Sequence, residues 1–136
     1  MTTANPRRVC IESPLRGDVA RNVAYADACM LHALQRGDAP FLGHLLYPRV
    51  LDDALPEDRD LGISGHVAWL TVAEAVVVYL DYGVTAGMEH AIELARTLHI
   101  PVEYRQLGDG WLDRFRSHAQ PTAGMFHDQR FDVPKP

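Results

Sequence analysis

No stretch of this 136-residue sequence approaches the roughly 20 consecutive apolar residues that a bilayer-spanning helix needs. The opening MTTANPRR runs straight into an apparent strand with no apolar leader core, so a cytoplasmic protein with no membrane partner is expected. Cysteine is scarce. Cys10 and Cys29 fall inside a predicted strand and a predicted helix, read as buried thiols, and form no CxxC, which argues against a disulfide framework or a zinc ribbon. None of the seven histidines pairs at H-x-H or H-x-x-x-H spacing, so no metal is expected. Basic charge is also short. Thirteen Lys and Arg against eighteen Asp and Glu leave a net charge of −5, which argues against a nucleic-acid surface while still allowing a local seat for one small anion. The sequence lacks GxSxG, Walker A and GxGxxG, so a serine-hydrolase elbow, a P-loop and a dinucleotide cofactor are not expected. No repeat or low-complexity segment is present.

What the sequence does contain is organised around residues 75–104, AVVVYLDYGVTAGMEHAIELARTLHIPVEY. Ala75–Leu80 is a short β-branched apolar run, as in a strand covered on both faces. A helical period follows, with Met88, Ala91, Ile92, Ala95 and Leu98 on one side, and Pro101 ends it before a strand at Val102–Tyr104. This is a βαβ unit. Upstream, Arg8–Ser13 reads as the first strand. Leu15-Arg16-Gly17-Asp18 is a turn, and a helix then places Val19, Val23, Ala26, Met30, Ala33 and Leu34 on one face before Gly37 stops it. Ala39–His44 reads as a second strand running into a long loop over residues 45–59, whose apolar members must pack back on something. Leu61–Val72 reads as a helix weakened by Gly62, Ser64 and Gly65, and Trp111–Arg116 as a short helix. The pattern predicts one α/β domain over residues 1–120, Rossmann-like with three layers and about four parallel strands in the order 2-1-3-4, followed by an extended arm at 121–136. The arm's Met125, Phe126 and Phe131 suggest a homodimer or larger assembly in which it crosses a subunit boundary.

In that order the turns after strands 1 and 3 face one crevice at the carboxyl edge of the sheet, where ligands of open parallel sheets bind. Ser13, Leu15, Arg16 and Gly17 offer a hydroxyl, backbone amides and a guanidinium to a phosphate or carboxylate. The alternative is a plain strand–helix turn with Asp18 as its cap. Thr85, Gly87 and Met88 open the next helix and could approach a sugar or phosphate, or simply cap it, with Glu89 complementing the dipole. Tyr82 could stack on a base or serve only as a turn residue, and His44 could line the pocket from the end of strand 2. Asp52, Asp53, Glu57, Asp58 and Asp60 form an acidic patch, read as a solvated loop ahead of a magnesium site.

The segments IESPLRGD, FLGHLLYPRVLDD and YGVTAGMEHAIELARTLHIPV, in that order over about residues 8–105, resemble a family of short bacterial and phage proteins in the nucleoside 2-deoxyribosyltransferase-like superfamily. The resemblance implies a nucleoside or nucleotide ligand and cleavage or transfer at the base–sugar bond, by an N-glycosidase or a deoxyribosyltransferase. A carboxylate would meet the anomeric carbon and a second group would assist the leaving base. Aligned on the buried helix alanine Ala95, the carboxylate position is occupied by Ala91. Aligned on Gly87-Met88-Glu89 it is Glu89, although Glu89 and Ala91 lie about 200° apart around a helix. The assisting aspartate's counterpart, three residues ahead of Trp69, is His66. The expected catalytic pair is therefore Glu89 and His66. The alternative is a non-catalytic nucleotide-binding or sequestering protein that has lost its carboxylate.

Overall fold

A computed structural model describes residues 5–119 of the chain. The extended arm expected over 121–136 lies outside the described residues. Four strands, β1 (Arg7–Glu12), β2 (Asp38–Phe41), β3 (Ala75–Tyr79) and β4 (Val102–Arg105), form one parallel sheet in the order β2-β1-β3-β4. The register sets Cys10 against Phe41 on one side and against Val76 on the other. Among the described residues five helices flank it: α1 (Val19–Gln35), α2 (Gly43–Leu46), α3 (Pro56–Leu70), α4 (Ala86–Thr97) and α5 (Trp111–Ala119). The doubly covered parallel sheet is the Rossmann-like architecture that the alternating pattern predicts. No helix among the described residues is long and apolar enough to cross a membrane.

Each face of the sheet carries its own core. Val9, Ile11, Val77 and Tyr79 pack with Tyr25, Ala26, Cys29 and Ala33 of α1, and Trp111 of α5 packs against this cluster. On the other face Cys10, Val76 and Val78 pack with Leu70 of α3 and Met88, Ile92 and Ala95 of α4. Ile11 is wholly buried, and its truncation to Ala would cost about 2–5 kcal/mol. Both cysteines are buried free thiols on opposite faces. Burial pushes the Cys10 thiol up to about 12, with the neighbouring Glu12 carboxylate adding to the rise, so the thiol stays protonated.

The structure corrects three details of the sequence reading. The buried face of α1 runs through Asn22, Tyr25, Ala26, Cys29 and Ala33, while Val19 and Leu34 are exposed. The reason is that Asn22 and Tyr25 find partners for their polar tips and can therefore be buried. β2 stops at Phe41, so His44 is the second residue of α2 and not a strand residue. The long loop condenses into α2, a 3-10 turn at Tyr47–Arg49 and an α3 that begins already at Pro56, a favoured first helical residue. Gly65 is tolerated in α3 because the Tyr47 ring packs where a side chain would otherwise sit.

Candidate functional site

β1 and β3 are adjacent and parallel, so the turns that follow them, 13–18 and 81–85, emerge on the same carboxyl edge of the sheet. The first turn is shaped from beneath. The buried Asn22 side chain donates to the carbonyls of Leu15 and Arg16 at 3.0 and 2.9 Å, and Gly17 adopts a φ of +97° that side-chain-bearing residues rarely reach. Asp18 caps α1 by accepting from the Arg21 amide at 3.1 Å, so the helix terminus has already engaged an anionic group. What the turn offers an incoming anion is chiefly Arg16, whose exposed guanidinium pairs with Asp53.

The second turn is also braced. Asp81 receives the Tyr25 hydroxyl at 2.5 Å and the amides of Leu107 and Gly108 at 2.8 Å each. Burial acts to raise the Asp81 pKa, but these donors outweigh it and hold the carboxyl below the ordinary value. Tyr82 is packed edge-on against Tyr25 with centroids 4.8 Å apart, accepts from Trp111 Nε1 at 3.0 Å and lies 3.9 Å beneath the Arg21 guanidinium. That ring is committed to the fold, with one face already covered. Thr85 Oγ1 accepts from the Met88 amide at 3.2 Å, which leaves its O–H free to donate outward. Gly87 is exposed beside it, and Met88 points into the core.

Between these turns and α3 lies a polar cluster that sequence reasoning found only in part. Glu12, the last residue of β1, is buried, and its Oε1 lies 2.8 Å from Nε2 of His66 on α3. Oε1 is sealed from solvent, and its close approach to the ring is an ion-pair contact rather than a well-aligned hydrogen bond. Contact with Glu12 raises the His66 pKa above the ordinary imidazole value, against the burial that would lower it. Next to Glu12, Ser13 Oγ and His44 Nε2 lie 2.7 Å apart. Burial lowers the His44 pKa and keeps this imidazole neutral, while the nearby Glu12 carboxylate opposes that shift and His66 adds to it. His44 Nδ1 is buried with no partner. Gly43 permits this arrangement, because a methyl at that position would stand 2.9 Å from His66 Nδ1.

Ser13, His44 and His66 are thus brought together, and Glu12 joins them. Glu89 is not part of this group. It is exposed on α4 and lines a depression of about 300 Å³ with Val84, Ile92, Glu93, Arg96 and Tyr104. Ala91 is buried on the sheet side of α4. Among the described residues no three potential ligands converge as a metal site requires. The chemistry available at the edge is a desolvated carboxylate beside a protonatable imidazole, a hydroxyl–imidazole pair and a guanidinium, which suits proton transfer at a polar, anion-bearing ligand.

Residues 7–105 match the family described as a domain of unknown function (DUF7768). No protein of curated function matches the chain.

Proposed function

This chain belongs to the DUF7768 family, and from the chemistry of its carboxyl edge we propose that it binds a nucleoside or nucleotide and breaks the bond between base and sugar. The observation that carries this reading is the buried contact between Glu12 and His66 at the end of a central strand. Burying a carboxylate without a full set of hydrogen bonds costs several kcal/mol, a cost that a fold keeps where charge must be stabilised during a reaction. Glu12 faces the anomeric carbon as positive charge develops there, while the base departs with the electron pair of the broken C–N bond. His66, whose protonated form Glu12 favours, gives a proton to the departing base. Water then adds at the sugar carbon and returns a proton to the neutral imidazole. Ser13, with His44 behind it, and the outward O–H of Thr85 position the sugar, and Arg16 and Gly17 receive a phosphate.

The test is to incubate the protein with nucleosides and their 5′-monophosphates and measure free base. Release by the wild type that Glu12→Gln and His66→Gln abolish is the expected result. Binding without release, seen as a raised melting temperature, would instead favour a sequestering protein. The small buried Ala91 is the observation on that side.

A further inference from the structure

The acidic loop ahead of α3 makes a contact that a solvated loop would not need. Asp53 Oδ2 pairs with Arg16 Nη2 of the first turn. Its other oxygen lies 3.8 Å from Nε of Arg59 in the first turn of α3, and Arg59 also donates to the Asp53 carbonyl at 3.0 Å through Nη2 and 3.3 Å through Nε. Two guanidiniums from different elements therefore converge on one carboxylate. The loop is held in place for this. Asp52 Oδ1 accepts from the Ala54 amide at 2.9 Å, and Asp58 Oδ2 accepts from the Asp52 amide at 2.8 Å. Asp18 already caps α1, and the two arginines that Asp53 engages, one in this turn and one in α3, carry full positive charge to the same point.

We propose that Arg16 and Arg59 form a two-arginine anion seat, that Asp53 is its internal occupant, and that a phosphate monoester takes the seat by displacing Asp53. The inference rests on the nucleotide reading for the identity of its ligand, a 5′-phosphate, and on the ion pairs for its geometry. Guanidinium recognises carboxylate and phosphate through the same paired N–H groups, and the phosphate dianion carries more charge and a third oxygen. Arg16 and Asp53 are 80% and 55% exposed, and water screens an exposed pair of this kind, so little is lost when Asp53 is exchanged for another anion. Asp53 thereby lowers affinity for weak anions and releases the 51–55 loop when a phosphate arrives.

The experiment is calorimetric titration of the wild type, Asp53→Asn, Arg16→Ala and Arg59→Ala with inorganic phosphate, ribose 5-phosphate and matched nucleoside and nucleoside 5′-monophosphate pairs. Asp53→Asn should tighten the phosphate-bearing ligands by about two- to tenfold and leave the nucleosides unchanged. Each arginine variant should weaken the same ligands by about tenfold or more. If Asp53→Asn weakens phosphate binding or leaves it unchanged, Asp53 is a scaffold for the arginines and the proposal is overturned. The same holds if the 5′-phosphate adds nothing to wild-type affinity while nucleosides bind, and the base–sugar reading then survives alone. Tight ribose 5-phosphate with no response to any base would keep the seat and remove the nucleotide reading. No binding by any compound would overturn both.

Discussion

Two buried polar clusters sit on opposite faces of the same sheet, and they are built on opposite terms. On the α1 face, Arg105 donates to Asp38 at 2.9 Å and to the Tyr79 hydroxyl at 3.3 Å, and Arg7 meets Glu103 at 2.5 Å and Asp38 at 3.6 Å. His32 Nδ1 takes up the Tyr79 hydroxyl at 2.8 Å, its pKa lowered first by burial and then by Arg105. None of these groups is left with a buried orphan atom. On the α3 face, Glu12 and His44 each keep one. A saturated network is a structural device, since every buried charge has its counter-group. An under-satisfied one costs stability and invites a ligand. The contrast separates the candidate site from the scaffold better than charge or burial does, because both clusters hold buried charged groups.

The largest effect should come from breaking the saturated cluster. Arg105→Ala leaves Asp38, which is 8% exposed, with only the longer contact to Arg7, and should cost about 3–5 kcal/mol in urea unfolding. Replacing both partners, Asp38→Leu with Arg105→Met, should recover much of that loss, because no lone charge remains buried. Glu12→Gln makes the opposite case. It removes a carboxylate whose desolvation cost offsets most of its attraction to His66, so stability should move by only about 1 kcal/mol, while base release falls about 10²–10⁴-fold. If Glu12→Gln unfolds the protein as readily as Arg105→Ala does, the two clusters are alike and the distinction fails.

The histidines sharpen the comparison through pH. The folded pKa of His66 is raised from 6.5, so its contribution is fully present below about pH 6.5 and is lost as pH rises through the raised value. The folded pKa of His44 is lowered from 6.5, so its contribution is present above about pH 6.5 and is lost as pH falls toward the lowered value. His66→Gln should therefore flatten the decline of stability on the alkaline side, and His44→Gln should flatten it on the acid side. Melting temperatures of the three proteins between about pH 5 and 9 check this. Slopes of the reverse sign would mean that the two imidazoles are misassigned.

How much of this was legible in the sequence differs between elements for physical reasons. The unit from Ala75 to Tyr104 was readable because a doubly buried strand is a plain apolar run and α4 keeps a clean helical period. Alternation pointed to a parallel sheet without fixing its strand order; the order 2-1-3-4, chosen among those it allows, is the order observed. The face of α1 was misread because Asn22 and Tyr25 look polar in a pattern, and only tertiary contacts to Leu15, Arg16 and Asp81 make their burial affordable. Glu12 carried no signal as the polar end of an apolar strand, since its meaning depends on His66, 54 positions away. Ser13, His44 and His66 were singled out separately, yet their convergence was hidden, because it depends on His44 lying in α2 and on Gly43 letting the His66 ring approach. Asp53 was seen only as one member of an acidic run, whereas its pairing with Arg16 joins two segments that the sequence separates.

The smallest expected effect tests the carboxylate assignment most directly. On the proposed reading Glu89 and Glu12 compete for the place beside the anomeric carbon, and they differ in what electrostatic catalysis needs. Glu12 is buried beside an imidazole, whereas Glu89 is exposed on the outer side of α4, its charge screened by water. Glu89→Ala should therefore change stability by no more than about 0.5 kcal/mol and leave base release within about twofold of wild type. At most it should lose the small benefit of an acid in the first turn of α4. A loss of base release as large as that of Glu12→Gln, with the melting temperature unchanged, would move the chemistry to α4. The α3-face cluster would then be a binding wall, and its two orphan atoms would need another explanation.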